Sequence, residues 1–190
     1  MNSKFEKDIQ ACLTVLNEGG LILYPTDTLW GVGCDATNST AVQKIIELKK
    51  ISDYNDMAVL VTEEQEILQY VAAPDMEVFD YLATTDRPTT VIYQGAIGLA
   101  DPLVAEDGSV GIRICQDSFC RQLIKRFHRP IVATPANYPT QALPTRFNLI
   151  NLTIKECVDY IVHWRQEEEA EGIPDSIIRW REGMIEVVRT

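Results

Sequence analysis

Apolar residues Ile9, Leu13 and Leu16 recur at helical spacing between residues 4 and 18, and the pattern stops at Gly19-Gly20. A glycine pair suits a left-handed helix C-cap, so the spacing predicts a first helix leading into a buried strand, Leu21 to Tyr24. Residues 38–50, NSTAVQKIIELKK, offer Asn38 or Ser39 as N-cap and Val42, Ile45, Ile46 and Leu48 as an apolar stripe. They predict a second helix ending near Lys49-Lys50. The runs MAVLVT (57–62), TTVIY (89–93), VGIRI (110–114) and PIVAT (130–134) are rich in β-branched residues, are bounded by polar or Gly/Pro segments, and read as strands. Between them EEQEILQYV, DMEVFDYLA and DSFCRQLIKRF (117–127) are helical in pattern, the last with Asp117 or Ser118 as cap.

Further on, Thr153 and Glu156 stand at capping-box spacing before a short helical turn, and DYIVHW (159–164) reads as a strand. SIIRW (176–180) and IEVVR (185–189), joined through Glu182-Gly183, predict a terminal hairpin. This interleaving predicts an α+β fold, or an α/β one with a twisted, mixed and largely antiparallel sheet. No fixed-period repeat, low-complexity tract or long linker divides the chain, so one domain is expected over residues 1–190.

Composition narrows the functional classes. The 190 residues are 46% hydrophobic, enough for one sizeable core, yet no apolar run approaches the roughly 20 residues that span a bilayer. The start, MNSKFEKDIQ, lacks the apolar segment of a signal peptide, which predicts a cytoplasmic protein without a membrane partner. Cys12, Cys34, Cys115, Cys120 and Cys157 are odd in number and several have apolar neighbours, the pattern of buried free thiols. Neither His128 nor His163 has metal-like spacing to a cysteine or carboxylate, so no protein-ligated metal is expected. The formal charge of −11 opposes loose attraction to nucleic acid or an anionic membrane, and any polyanion must meet a local basic patch. The acidic run Glu167-Glu168-Glu169-Ala170-Glu171 reads as a solvated loop.

Chemistry concentrates in residues 21–39, LILYPTDTLWGVGCDATNS. Gly31 and Gly33 allow backbone to approach a ligand, while Thr26 and Thr28 supply hydroxyls beside backbone N–H groups. The same residues also suit a plain connection in which Asp27 caps its own backbone, and the pattern alone leaves both readings open. The segment lacks the Gly-x4-Gly-Lys-Ser/Thr phosphate loop and the Gly-x-Gly-x-x-Gly dinucleotide fingerprint.

With the later segments RPTTVIY, VGIRI, PIVATPANYPTQALPT and PDSIIRW, in that order and rough spacing, the chain resembles the YrdC-like family, the threonylcarbamoyl-AMP synthases, as a divergent member. The resemblance implies a twisted α/β fold with a large concave cavity in which L-threonine, bicarbonate and ATP are assembled into threonylcarbamoyl-AMP and pyrophosphate. The product serves modification of a tRNA adenosine, and double-stranded RNA binding has also been ascribed to the family. Such adenylyl transfer needs positioned cations, hydroxyls and backbone donors rather than a covalent nucleophile, with ATP entering as substrate with Mg²⁺.

Carried over residue by residue, the resemblance makes Thr26, Thr28 and Trp30 the threonine pocket. Lys49 and Arg113 become the catalytic cations, and Lys49, Lys50, Thr89, Thr90, Thr134, Asn137 and Ser176 the nucleotide contacts. Departures fall at positions that would face ligand. Ile51 stands in place of an arginine, Asn55 in place of a basic residue, Pro135 in place of a serine, and Asp175 in place of another serine, where a carboxylate would repel a triphosphate. Thr140 and Thr145 are further polar candidates. Two readings follow: a nucleotidyltransferase of the family type, or a catalytically weak or inactive relative that binds nucleotide or double-stranded RNA. For RNA the candidate surface is Arg121, Lys125, Arg126, His128 and Arg129, a cluster that reads first as the solvent face of an amphipathic helix. The oligomeric state stays open.

Overall fold

The computed structural model describes residues 4–51, 57–181 and 183–189; Asn55 and Glu182 therefore lie outside the described residues. Helix α1 (Glu6–Asn17) buries Ile9, Cys12 and Leu16, with Leu13 half-buried at the edge of the stripe. Gly19 then takes φ +70°, the left-handed conformation that the Gly-Gly pair predicted. The chain continues into β1 (Ile22–Pro25), turns at 26–29, and returns as β2 (Trp30–Gly33). The segment that reads from sequence as a ligand turn is thus half strand: β2 pairs antiparallel with β1, joining Pro25 to Trp30 and Ile22 to Gly33. Gly33 is required by packing. A Cβ there would lie 2.4 Å from the Val132 carbonyl oxygen and 2.6 Å from the Tyr24 ring. Tyr24 is fully buried across that gap and donates its hydroxyl to the same carbonyl at 2.9 Å.

Helix α2 (Ser39–Lys49) is capped by Asn38, whose side chain accepts from Ala41 N, and it buries Ala41, Val42, Ile45 and Lys49, while Ile46 and Leu48 are half-buried. There follow β3 (Ala58–Val61), α3 (Glu64–Tyr70), α4 (Glu77–Ala83), β4 (Thr89–Gln94) and β5 (Ser109–Ile114). Next come α5 (Ser118–Phe127), capped by Asp117, β6 (Ile131–Pro135), α6 (Leu152–Glu156), β7 (Tyr160–Ile161), β8 (Ser176–Arg181) and β9 (Met184–Arg189). The strands form one nine-stranded mixed sheet in the order β7-β1-β2-β6-β3-β5-β4-β8-β9. Antiparallel pairs outnumber parallel ones, the latter being β1/β7, β3/β5 and β4/β8. No helix among the described residues is long and apolar enough to cross a membrane.

Two local expectations change. Helix α6 is capped by Asn151, which accepts from Thr153 N, instead of by a box starting at Thr153, because Asn151 already occupies the cap position two residues ahead. The strand expected over 159–164 shortens to Tyr160–Ile161, because the His163 and Trp164 backbone N–H groups donate to the buried Asp8 carboxylate, at 3.1 and 2.9 Å, instead of to a ladder. Burial pushes the Asp8 carboxyl up, but those N–H groups and the Tyr160 hydroxyl outweigh it and hold the group ionised. Cys12, Cys34, Cys115 and Cys120 are buried and Cys157 is exposed. Burial raises the Cys12, Cys34 and Cys120 thiols well above their ordinary range, which keeps them protonated and inert.

Candidate functional site

The 26–29 turn is held by a hydroxyl relay. Thr26 Oγ1 is buried, accepts from Thr28 N at 3.0 Å and donates to the Leu29 carbonyl at 2.7 Å. A hydroxyl has one proton, so across the 2.9 Å contact between the two threonines Thr28 must be the donor. Thr28 Oγ1 in turn accepts from Arg113 at 3.3 Å. The turn therefore presents an ordered hydroxyl next to a guanidinium. Asp27 does not cap its own backbone. Its Oδ2 accepts from Gln116 N at 3.1 Å and its Oδ1 forms an ion pair with Arg113 Nη2 at 3.3 Å.

Arg113 lies on β5 opposite Thr90 of β4, and Thr90 lies opposite Ile177 of β8, so alternation sets Arg113, Thr90 and Ile177 on one face of the sheet. That face is not solvent: Arg113 is 4% exposed. It meets Asp175, whose Oδ2 accepts from Arg113 Nη1 at 2.9 Å and also from the Thr90 hydroxyl, and whose Oδ1 accepts from Arg189 Nη2 at 2.8 Å. Burial works against the charge on both Arg113 and Asp175. The flanking Asp27 and Asp175 carboxylates nevertheless raise the Arg113 pKa, and the two arginines with the Thr90 hydroxyl bring the Asp175 carboxyl below its ordinary 3.8. Arg113 Nε and Asp27 Oδ1 are buried without a hydrogen-bond partner among the described residues, two polar atoms suited to a guest.

Arg113, Thr90, Asp175 and Arg189 line a narrow pocket of about 40 Å³ together with Thr26, Thr28, Thr134 and Pro135, while Asp27 lies behind Arg113 on the side of the outer cleft. Thr28 also lines an adjoining outer cleft of about 590 Å³, whose wall includes Arg87, Arg165 and Gly172. The concavity is thus a small inner chamber beside a larger open one. Lys49 reaches the chamber indirectly: it is 2% exposed and donates to Thr134 Oγ1, itself part of the lining.

Of the sequence-predicted residues, Thr26, Thr28, Thr90, Arg113 and Thr134 come together in the pocket, with Lys49 behind Thr134. Others do not. Lys50 is exposed and takes φ 55° as the left-handed C-cap of α2, directed away from its neighbour Lys49. Thr89 and Ser176 are outside the pocket lining because strands alternate: Thr90 and Asp175 point in, and Thr89 accordingly donates to the Arg87 carbonyl at 2.9 Å. Asn137 spends its amide on the Gln141 carbonyl at 2.9 Å, fixing the loop after β6. Trp30 packs on Phe147 with ring centroids 4.8 Å apart and lines a smaller cavity on the other side of the turn, with Thr145. Thr140 is exposed, and Ile51 packs against the core outside the pocket.

Sequence reasoning missed Asp27 and Arg189 as ionic partners and treated Asp175 only as a repulsive substitution. No local signal marks Arg189, which joins the site through a bulge between Ile177 and Ile178 in the β8/β9 ladder. The basic cluster on α5 is largely paired. Lys125 and Arg121 face Glu63, Arg126 meets Glu6 at 2.9 Å, and Arg129, just beyond the helix, meets the buried Asp35 at 2.6 Å.

Comparison with known proteins bears on this arrangement. The Sua5_yciO_yrdC family model, described as telomere recombination, matches residues 14–190. A threonylcarbamoyl-AMP synthase of Hahella chejuensis is 34% identical over 137 residues, covering 70% of this chain and 73% of that protein. The Escherichia coli K12 protein of the same name is 26% identical over 141 residues, covering 72% and 74%. Among solved structures, P. abyssi Sua5 complexed with L-threonine superposes with TM-score 0.85 at 20% identity over 96% of this chain, which spans about half, 54%, of that longer one. E. coli YciO superposes with TM-score 0.81 at 20% identity, over 96% of this chain and 88% of its own. These structural likenesses are of fold.

Proposed function

The chain belongs to the Sua5/YciO/YrdC family, and from that premise we propose that it is a threonylcarbamoyl-AMP synthase: it transfers the adenylyl group of ATP to N-carboxylated L-threonine, releasing pyrophosphate. The observation that carries this reading is the meeting of the Thr26–Thr28 relay with buried Arg113 in one chamber that opens beside a cleft of nucleotide size. The names of its relatives support threonine and an ATP-derived adenylate, and bicarbonate is part of the proposal.

In this reading L-threonine sits against the Thr26–Thr28 turn, and Arg113 faces the negative charge of the carboxylated amino acid. Bicarbonate carboxylates the amino group, with loss of water, to give a carbamate whose oxygen attacks the α-phosphorus; the bond from that phosphorus to the bridging oxygen breaks, and pyrophosphate leaves. The chain's contribution is orientation and charge: Thr28 holds one rotamer because both its proton and its acceptor are used, and Arg113 is fixed by two carboxylates. ATP with Mg²⁺ enters as substrate through the outer cleft, lined by Arg87 and Arg165 together with Asp27, Asp86 and Glu171, and Lys49 adds positive potential from behind Thr134. The product would serve tRNA modification. Purified protein given ATP, Mg²⁺, bicarbonate and L-threonine should release pyrophosphate and form the mixed anhydride. Release that is absent, or indifferent to omission of threonine or bicarbonate, rejects the reading.

A further inference from the structure

Asp175 brings a carboxylate to the one part of the chamber where two guanidinium groups converge. Both of its oxygens are used, by Arg113, Arg189 and the Thr90 hydroxyl. The group of Arg113, Arg189, Asp27 and Asp175 sums to zero formal charge. A second carboxylate entering while Asp175 stays would be a buried charge without a counter-ion, and burial of an unpaired charge is strongly unfavourable. Of the five N–H donors of Arg113, one on Nη1 serves Asp175 and those of Nη2 serve Thr28 and face Asp27, which leaves only Nε–H and the second Nη1–H, on different edges of the guanidinium. A carboxylate seats best on two parallel donors.

We propose that the Asp175 carboxylate is a resident competitor for the acceptor's carboxylate: a guest carboxylate reaches Arg113 only by displacing it, so residue 175 sets how the chamber ranks carboxylate-bearing against carboxylate-free acceptors. This rests on the reading that the acceptor amino acid binds at the Thr26–Thr28 turn. Neutral Asp175→Asn keeps the shape and vacates one negative charge; Asp175→Ser vacates the space too. Either leaves a net positive chamber that welcomes a carboxylate.

The test is calorimetry without nucleotide, comparing L-threonine with L-threoninamide, which lacks the carboxylate. The wild-type protein should bind the two within about threefold of each other, whereas Asp175→Asn and Asp175→Ser should favour L-threonine by about tenfold or more, as expected for recovered hydrogen bonds to a charged group. A wild type that already prefers L-threonine tenfold, or variants that leave the ratio unchanged or bind neither compound, overturns the proposal. Should Asp175→Ser fail to fold, the wild-type ratio and the isosteric Asp175→Asn still decide it. Pyrophosphate release is followed in parallel. In an active enzyme Asp175→Ser should lower the KM for L-threonine about tenfold with kcat changed much less, a split that a merely structural role would not produce. Absence of turnover in all three proteins rejects the proposed activity, while the binding ratio still judges Asp175 on its own.

Discussion

Two sets of cations on this molecule carry the same charge to different ends. Arg113 is enclosed, 4% exposed, between Asp27 and Asp175, and its partners come from the β1–β2 turn and from the residue just before β8. The cations of α5, among them Lys125 and Arg126, sit in solvent beside Glu63 and Glu6. Water solvates the surface pairs whether or not they meet, so their pairing is optional; in the chamber nothing else is there to answer a charge, so pairing is obligatory. A count of basic residues would favour α5 as the functional surface. Burial reverses that ranking.

The largest expected effect comes from breaking the buried set. Arg113→Met leaves the nearly buried Asp27 side chain without its cation and Asp175 with Arg189 alone, and should cost about 3–5 kcal/mol of stability by urea unfolding. An unchanged midpoint would show that the chamber is wetter than its burial implies. Thr28→Val comes next. It removes the hydroxyl linking Arg113 to the turn while keeping the shape, so threonine-dependent pyrophosphate release should fall about 10–100-fold in kcat/KM, the worth of a hydrogen bond to a charged group. Its melting temperature should move little.

A smaller effect appears in the acid limb of stability. The Asp175 carboxyl is held below its ordinary 3.8, so its contribution is complete above that value and is lost as pH falls through 3.8 and then through the lower folded value. Unfolding measured from pH 7 to pH 3 should show this loss in the wild type, and Asp175→Asn should lack that part of it. The smallest effect belongs to the surface. Lys125→Ala should leave the melting midpoint where it was, and a salt titration with duplex RNA should show only weak attraction, since the neighbouring carboxylates already answer these cations. Tight, steeply salt-dependent RNA binding would break the contrast between the two sets.

Much of the architecture was legible in the chain because it is written locally. The helical period over α1 and α2, the Asn38 and Asp117 caps, the β-branched runs and the terminal hairpin all depend on neighbours within a few residues. Where reading failed, a distant residue had intervened: Asp8 takes backbone donors that a longer β7 would have used, and Tyr24 demands the glycine that turned β2 into an apparent loop. The site was legible in part. The Thr26–Thr28 turn, Lys49, Thr90 and Arg113 carried recognisable residue types at recognisable places. Thr89 and Ser176 did too, yet alternation hides them from the chamber.

By itself the sequence determined most of the elements, the hydroxyl-bearing turn and the family, since each rests on short-range pattern or on motifs read in order. Only the tertiary structure decided that Asp175 is paired with Arg113 and Arg189 rather than poised to repel a ligand. A period of two assigns residues to faces without saying which face is enclosed. The ion pair depends on a sheet order that sets β5, β4, β8 and β9 side by side, and its strength depends on the exclusion of water there.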